Sequence, residues 1–266
     1  MTATSKSATV RLETAHGLAT ITLARASAHN ALDRATKLAL LDAVTAAGEQ
    51  PGVRAVLLTA EGKNFCVGQD LGEHAAALAA DPDTAMDTVG EHYNPLIRAL
   101  RALEVPVVAA IPGACVGAGL GIALAADLRV AGARTTFATA FTGIGLASDS
   151  GLSYALVEAL GSSRATGLML LGERVSAEQA LAWGLVHRVV ADEEVRTTAA
   201  ELAGQLAAGP TQAYRNVKAL IAASASGLAD ALDRELAAQR LLGRTADHAG
   251  AVQAFLAKQR PSFTGA

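Results

Sequence analysis

Residues 105–127 read VPVVAAIPGACVGAGLGIALAAD, with no charge between Glu104 and Asp127. A run of about 20 apolar residues is long enough for a membrane-spanning helix. Pro106, Pro112 and the glycines at 113, 117, 119 and 121 interrupt it, however, and no second span accompanies it. Pro112-Gly113 instead reads as a turn between a buried strand, VPVVAAI, and a helix. A nucleotide loop fits poorly, because GAGLG lacks the G-x-G-x-x-G spacing and its downstream acid, and no G-K-[ST] follows. Two uses remain for small residues at a strand-to-helix turn. They permit close helix packing, or they let backbone N–H groups at the helix N-terminus face a ligand oxygen.

The flanking sequence predicts the setting of this turn. VRLETAHGLATITLAR (10–25) predicts two alternating strands around a His16-Gly17 turn. Residues 30–49 are amphipathic, with Leu38, Leu41, Val44 and Thr45 near one stripe, and Pro51-Gly52 ends the helix. RAVLLTA (54–60) is a buried strand, and GKNFCVGQDLGEH (62–74) turns from strand to helix with Asp70 as N-cap. Residues 83–103 read as helical, with Pro95 kinking or starting a piece. Leu128–Ala131 is a further apolar strand. Strands alternating with helices predict an α/β fold with parallel pairing. From Leu152 helical patterns follow, punctuated by Gly161, Gly172, Gly184 and Gly209-Pro210 and interrupted by one strand, LVHRVV (185–190). The expected organisation is an α/β core over 1–200 and a helical C-terminal region over 201–266.

Composition narrows the function classes. The 266 residues carry a net charge of −3 and only 3% aromatic side chains, which argues against a basic nucleic-acid surface and against base-stacking platforms. Apolar residues make up 51% and charged ones 18%, so surface hidden between subunits, and hence oligomerisation, is expected. The two cysteines form no C-x-x-C, and MTATSKSATVRLE lacks a signal-peptide core; both favour a reducing cytoplasm. Six scattered histidines without H-E-x-x-H spacing predict no metal site.

The loop Phe65-Cys66-Val67-Gly68-Gln69-Asp70 is built like the first, running from a buried strand through a glycine into a capped helix. Two such turns on neighbouring strands offer two N–H donors to one oxygen, which is an oxyanion hole. FCVGQDL (65–71), NPLIRAL (94–100), the stretch at 105–127 and GERVSAEQALAWGLVHRVV (172–190) together resemble the enoyl-CoA hydratase/isomerase (crotonase) superfamily. The resemblance runs from the strand near Val10 to FLAKQRPSFTG at 255–265. It implies a ββα spiral core, a helical trimerisation region, and acyl-CoA thioester chemistry through an enolate. The Val67 and Ala118 N–H groups match the two oxyanion donors, flanked by Cys66, Gly68, Gln69, Asp70, Leu71, Gly117 and Gly119.

The acids then decide the chemistry. The positions of the family's two hydratase glutamates align with Gly121 and Phe141, and neither is a carboxylate. Syn addition of water needs groups that activate water and handle the α-proton. One acid stands nearby, Asp149 in GIGLASDSGL (143–152). By residue type it is either a turn or N-cap residue or an acid/base. The GLxxDSG pattern resembles the ring-1,2-epoxyphenylacetyl-CoA isomerase branch, which implies that Asp149 is catalytic. The chain departs from that branch at Ser148, where a proline is usual, at Leu152, where a glycine is usual, and at Arg25-Ala26, where an arginine-proline pair is usual. A helix start favours the ionised form of Asp149, while apolar neighbours such as Phe141 raise its pKa.

For coenzyme A, the resemblance implies that Arg25 and Ala28 meet the nucleotide end, with Phe255 and Lys258 approaching from a neighbouring subunit. Helix-terminal charge is the alternative use of Lys258. The expected protein is a cytoplasmic acyl-CoA isomerase, a homotrimer or a hexamer of paired trimers. It uses Asp149 with the Val67/Ala118 pair, and coenzyme A enters only as part of the substrate, without other cofactor, metal, nucleic acid or membrane. Alternatives are an altered hydratase, a thioester hydrolase and a non-catalytic acyl-CoA binder.

Overall fold

A computed structural model describes residues 9–223, 241, 245–259 and 261–265. A hairpin opens the chain, β1 (Val10–Ala15) and β2 (Leu18–Leu23), turning on left-handed His16 and Gly17. Helix α1 (Arg34–Glu49) follows, capped by Asp33, whose carboxylate accepts the Thr36 N–H at 2.8 Å. Then come β3 (Ala55–Ala60), α2 (Leu71–Ala80), α3 (Asn94–Ala102) and β4 (Val107–Ile111). The glycine-rich stretch divides into β5 (Ala114–Val116) and α4 (Ala118–Ala125), followed by β6 (Leu128–Gly132) and β7 (Thr136–Ala138). The remainder is α5 (Leu152–Leu171), β8 (Val175–Ser176), α6 (Ala177–Ala182), β9 (Arg188–Val190), α7 (Val195–Ala207), α8 (Thr211–Ala222) and α9 (Ala246–Leu256).

Six strands form the main sheet in the order β1-β2-β3-β4-β6-β9, parallel except for the opening hairpin. Successive strand residues point to opposite faces, and the core divides accordingly. Val56, Leu58, Val107, Ala109 and Ile111 face one cluster, packed on α1, α3 and α4. Leu57, Val108, Ala110 and Val130 face the other, covered by Val195, Ala199 and Ala203 of α7. Burial on both faces explains why β3 and β4 read as unbroken apolar runs. Helix α4 is buried along all eight residues, so residues 105–127 are a central strand and a core helix. Among the described residues no helix is long and apolar enough to cross a membrane.

Three expectations change. A second sheet, β5-β7-β8, was not foreseen, because its strands are only two or three residues long and carry no period. The stripe on α1 is shifted: Leu38 and Thr45 are exposed, while Leu40, Val44 and Ala47 face the core together with a fully buried Lys37. Residues 83–86 are turns rather than helix and a π turn at Val89–Tyr93 feeds α3, while Pro95 starts that helix as expected, in its first turn, where its missing N–H costs nothing. Residue 200 falls inside α7, which packs on the main sheet.

Small side chains let α7 lie close against that sheet. Ala199→Leu is expected to overpack the contact and cost about 1–3 kcal/mol, read from the midpoint of urea unfolding.

Candidate active site

The site is assembled by backbone bonds between two loops. Past β3, Phe65 and Cys66 pair with the entrance to β5, Cys66 opposite Cys115 in a parallel bridge. The Phe65 N–H donates to the Pro112 carbonyl at 2.7 Å, the Cys66 N–H to Ala114 at 3.2 Å, and the Val116 N–H to Cys66 at 3.0 Å. Fully buried Asn30 secures the preceding turn, its amide donating to the Glu61 and Asn64 carbonyls at 2.9 Å each. After the bridge both chains turn outward through left-handed glycines, Gly68 (φ +89°) and Gly117 (φ +57°). Two contacts show how near they come. A Cβ on Gly68 would stand 3.1 Å from the Val116 oxygen and 3.4 Å from the Ala118 nitrogen. A Cβ on Gly119 would strike the Cys66 oxygen at 2.5 Å.

Gly68 thus lies against the Ala118 nitrogen, and among the described residues neither the Val67 nor the Ala118 N–H has an acceptor. Ala118 is the first residue of α4, where the helix dipole adds positive potential. Such a pair is suited to an oxygen carrying partial negative charge. The Phe141 ring borders it, about 4 Å from where a Gly117 Cβ would lie.

Asp149 lies on the turn before α5, next to Ser150. The chain turns sharply at Ser150 (φ +53°) and Gly151 (φ +65°), both left-handed, before α5 begins. That turn rests directly on α4, because a Cβ on Gly121 would meet the Ser150 oxygen at 2.6 Å. The Asp149 carboxylate caps no helix: α5 has no side-chain cap, and the carboxylate instead accepts the Ser150 hydroxyl at 2.7 Å. Burial is the stronger influence on its proton affinity and raises the pKa above the ordinary carboxylate range, opposed by the Ser150 bond and the Lys37 charge.

The other expected residues divide. Asp70 caps α2, accepting the Glu73 N–H at 3.0 Å, and is held below the usual carboxylate range by that bond and by Arg25 at 2.6 Å. Arg25 also contacts Asp33 at 3.4 Å and the Ala31 carbonyl at 2.9 Å, so it braces the two helix starts; half-buried Ala28 lies on the same turn. Leu71 is exposed. Cys66 and Cys115 are buried thiols, and burial pushes Cys66 up to about 12. Lys258 is exposed beyond α9, without a hydrogen bond or ion pair to these loops among the described residues. Phe255 belongs to α9, but its side chain lies outside the described residues.

Sequence reasoning missed a polar cluster bonded to Gln69 of the second loop. Lys37, buried in α1, donates to Thr88 Oγ1 at 2.7 Å and to Gln69 Oε1 and Glu73 Oε1 at 3.2 Å each. The buried Tyr93 hydroxyl donates to the same Gln69 oxygen, and His92 bonds Thr88 at 3.2 Å. A lysine within an apolar stripe was the available signal. Among the described residues no three His, Cys, Asp or Glu side chains gather to hold a metal ion.

The family model for enoyl-CoA hydratase/isomerase matches residues 13–266. The chain belongs to that family. It is 39% identical to the 1,2-epoxyphenylacetyl-CoA isomerase of Escherichia coli K12 over 94% of this chain and 95% of that one. It is 41% identical to a Rhodobacter capsulatus protein named "Probable enoyl-CoA hydratase", over 97% and 98% of the two chains. A Mycobacterium abscessus crystal structure described as an enoyl-CoA hydratase/isomerase superposes with a TM-score of 0.95 at 55% identity, covering 97% of this chain and all of the other. The fold expectation holds in this enoyl-CoA hydratase/isomerase family member: an α/β core with a largely parallel sheet.

Gly68 lets the two donor loops meet. Gly68→Ala imposes a strained left-handed alanine and puts its methyl beside the Ala118 N–H. A loss of roughly 10²-fold in kcat is expected, on the scale of removing one oxyanion donor. Retained acyl-CoA affinity by calorimetry would separate that loss from unfolding.

Proposed function

We propose that this enzyme is an acyl-CoA isomerase, with Asp149 as its acid/base and the Val67 and Ala118 N–H groups as its oxyanion hole. The observation that carries the reading is the contact between Gly121 and Ser150. The position aligned with a hydratase glutamate is occupied by the turn that carries Asp149, leaving a Cβ there 2.6 Å from the Ser150 oxygen. Phe141 stands at the second aligned position. The site thus favours one carboxylate that moves a proton over two that add water.

In a 3-enoyl thioester, the Asp149 carboxylate removes a proton from the carbon next to the carbonyl. The electron pair spreads onto the thioester oxygen, where the two N–H donors hold it, and through the double bond onto the far carbon. The protonated acid then returns that proton to the far carbon, giving the 2-enoyl isomer with no atom gained or lost. The same enolate-stabilising site suits the opening of a ring epoxide beside the thioester, and the Escherichia coli relative supports that substrate class. The raised pKa suits the role, because a more basic carboxylate is the better proton acceptor once ionised. Coenzyme A enters with the substrate, its nucleotide end toward Arg25 and Ala28, with Phe255 and Lys258 supplied by a neighbouring subunit; the scheme needs no metal or redox cofactor. Trimer or hexamer formation is supported by Leu170, Leu171 and Ile221, each about 70% exposed.

Asp149→Asn tests this reading against 3-enoyl-CoAs, crotonyl-CoA and epoxyphenylacetyl-CoA. Isomerisation should fall by more than 10²-fold, while acyl-CoA binding persists. Stability should move the other way. A carboxyl whose pKa is raised by folding favours the fold below its unfolded pKa, and this contribution is lost as pH rises through the folded value. At neutral pH the asparagine variant should therefore melt no lower than the wild type. Unchanged isomerisation in the variant would sink the mechanism, and wild-type binding without turnover of any of these thioesters would replace it with a binding protein.

A further inference from the structure

A left-handed backbone suits glycine and strains most other residues. Ser150 nevertheless stands at φ +53°, directly before Gly151 at φ +65°. The position is also crowded: Ser150 is 2% exposed, and its Cβ lies 2.7 Å from where a Cβ on Gly121 would stand. A second glycine would relieve the backbone and clear that contact. What the serine adds is a hydroxyl, and this hydroxyl donates to Asp149 Oδ1 at 2.7 Å.

The bond occupies one of the two carboxylate oxygens. Among the described residues Asp149 Oδ2 accepts no hydrogen bond, and the Asp149 carbonyl is taken by the Leu152 N–H at 3.0 Å. With Oδ1 tethered to its neighbour, rotation of the carboxylate is restrained and Oδ2 is left to exchange a proton. The tether itself is seated on α4, because the Ser150 backbone and Cβ pack against Gly121, three residues on from Ala118 at the helix start. One helix therefore carries the Ala118 N–H and also seats the hydroxyl that aims the acid. Other groups reach Asp149 only through space. Lys37 of α1 and Tyr93 of the π turn act on it without bonding it, α4 carries no titratable residue, and α3 meets this turn through Ile97. Glu158 of α5 is paired with Arg101, which also lies over the Tyr154 ring.

We propose that Ser150 is a positioning residue: its hydroxyl, seated on α4 at Gly121, holds Asp149 Oδ1 so that Oδ2 is the oxygen that takes up and returns the proton. It touches no reacting atom. The same bond favours the ionised, proton-accepting form of Asp149 against the burial that disfavours it. This rests on the isomerase reading, with Asp149 as its acid/base.

The test uses two variants that delete the hydroxyl, Ser150→Ala and Ser150→Gly, of which only glycine suits the left-handed backbone. With a 3-enoyl-CoA, both should lower the kcat plateau by roughly 10-fold or more, with KM little changed. Both should also move the acidic limb of the kcat profile to higher pH by about one pH unit, since a hydrogen bond to the ionised form is lost. A serine that merely shapes the turn would give the opposite result, with kcat and limb preserved in Ser150→Gly. Should the left-handed alanine prevent folding, Ser150→Gly carries the same readouts. A further readout needs no turnover: the titration of Asp149, followed by NMR of carbon-13-labelled aspartate carboxyls and assigned by its absence in Asp149→Asn, should move upward in both variants. Wild-type kcat and an unmoved titration in Ser150→Gly, with Asp149→Asn inactive, would overturn the role of Ser150 and leave the isomerase intact. Isomerisation that survives Asp149→Asn would instead remove the isomerase reading, and an unmoved titration would then overturn the tether separately.

Discussion

The site depends on a backbone-to-backbone approach. Gly119 sits so close beneath Cys66 that any side chain there would strike its carbonyl oxygen at 2.5 Å. The bonds between residues 65–66 and 112–116 fix the register of that approach. Neither loop alone can direct two N–H groups at one point. Together, with left-handed glycines at 68 and 117, they bring the backbone at Gly68 against the Ala118 nitrogen. Preorganised dipoles of this kind need no rearrangement when charge develops on a bound oxygen, which is the source of their effectiveness.

A second close contact follows from the first. Because α4 is held in place by its N-terminus, its next turn meets the Ser150 backbone at Gly121. The left-handed pair Ser150-Gly151 reverses the chain there, so Asp149 is carried on a strained turn. Its carboxylate is partly removed from water and bonded to one hydroxyl. The same packing that closes position 121 to a second acid thus raises the proton affinity of the first. Steric and electrostatic constraints act through one contact.

Much of this was legible in the sequence. Pro112-Gly113, the glycines after it and the capped start at Asp70 carried the strand-to-helix turns, whereas the choice of Val67 and Ala118 came only from the family resemblance. The two-faced burial of β3 and β4 left its mark as uninterrupted apolar runs. The small second sheet left none, since pairs such as Val175-Ser176 are too short for a period. The balance of forces on Asp149 was also hidden, because burial comes from residues distant in sequence. So was Lys37: its acceptors on Gln69, Glu73 and Thr88 are between 32 and 51 positions away, and nothing local announces them.

The central claim is that one thioester oxygen meets both the Val67 and the Ala118 N–H groups. The most direct measurement is the isotope-edited infrared spectrum of an unreactive acyl-CoA carrying carbon-13 at its thioester carbonyl, free and bound. Two preorganised donors should polarise the bond and move its stretching band to clearly lower frequency in the complex. A band that stays at its frequency in water, with binding verified in the same sample, would contradict the account.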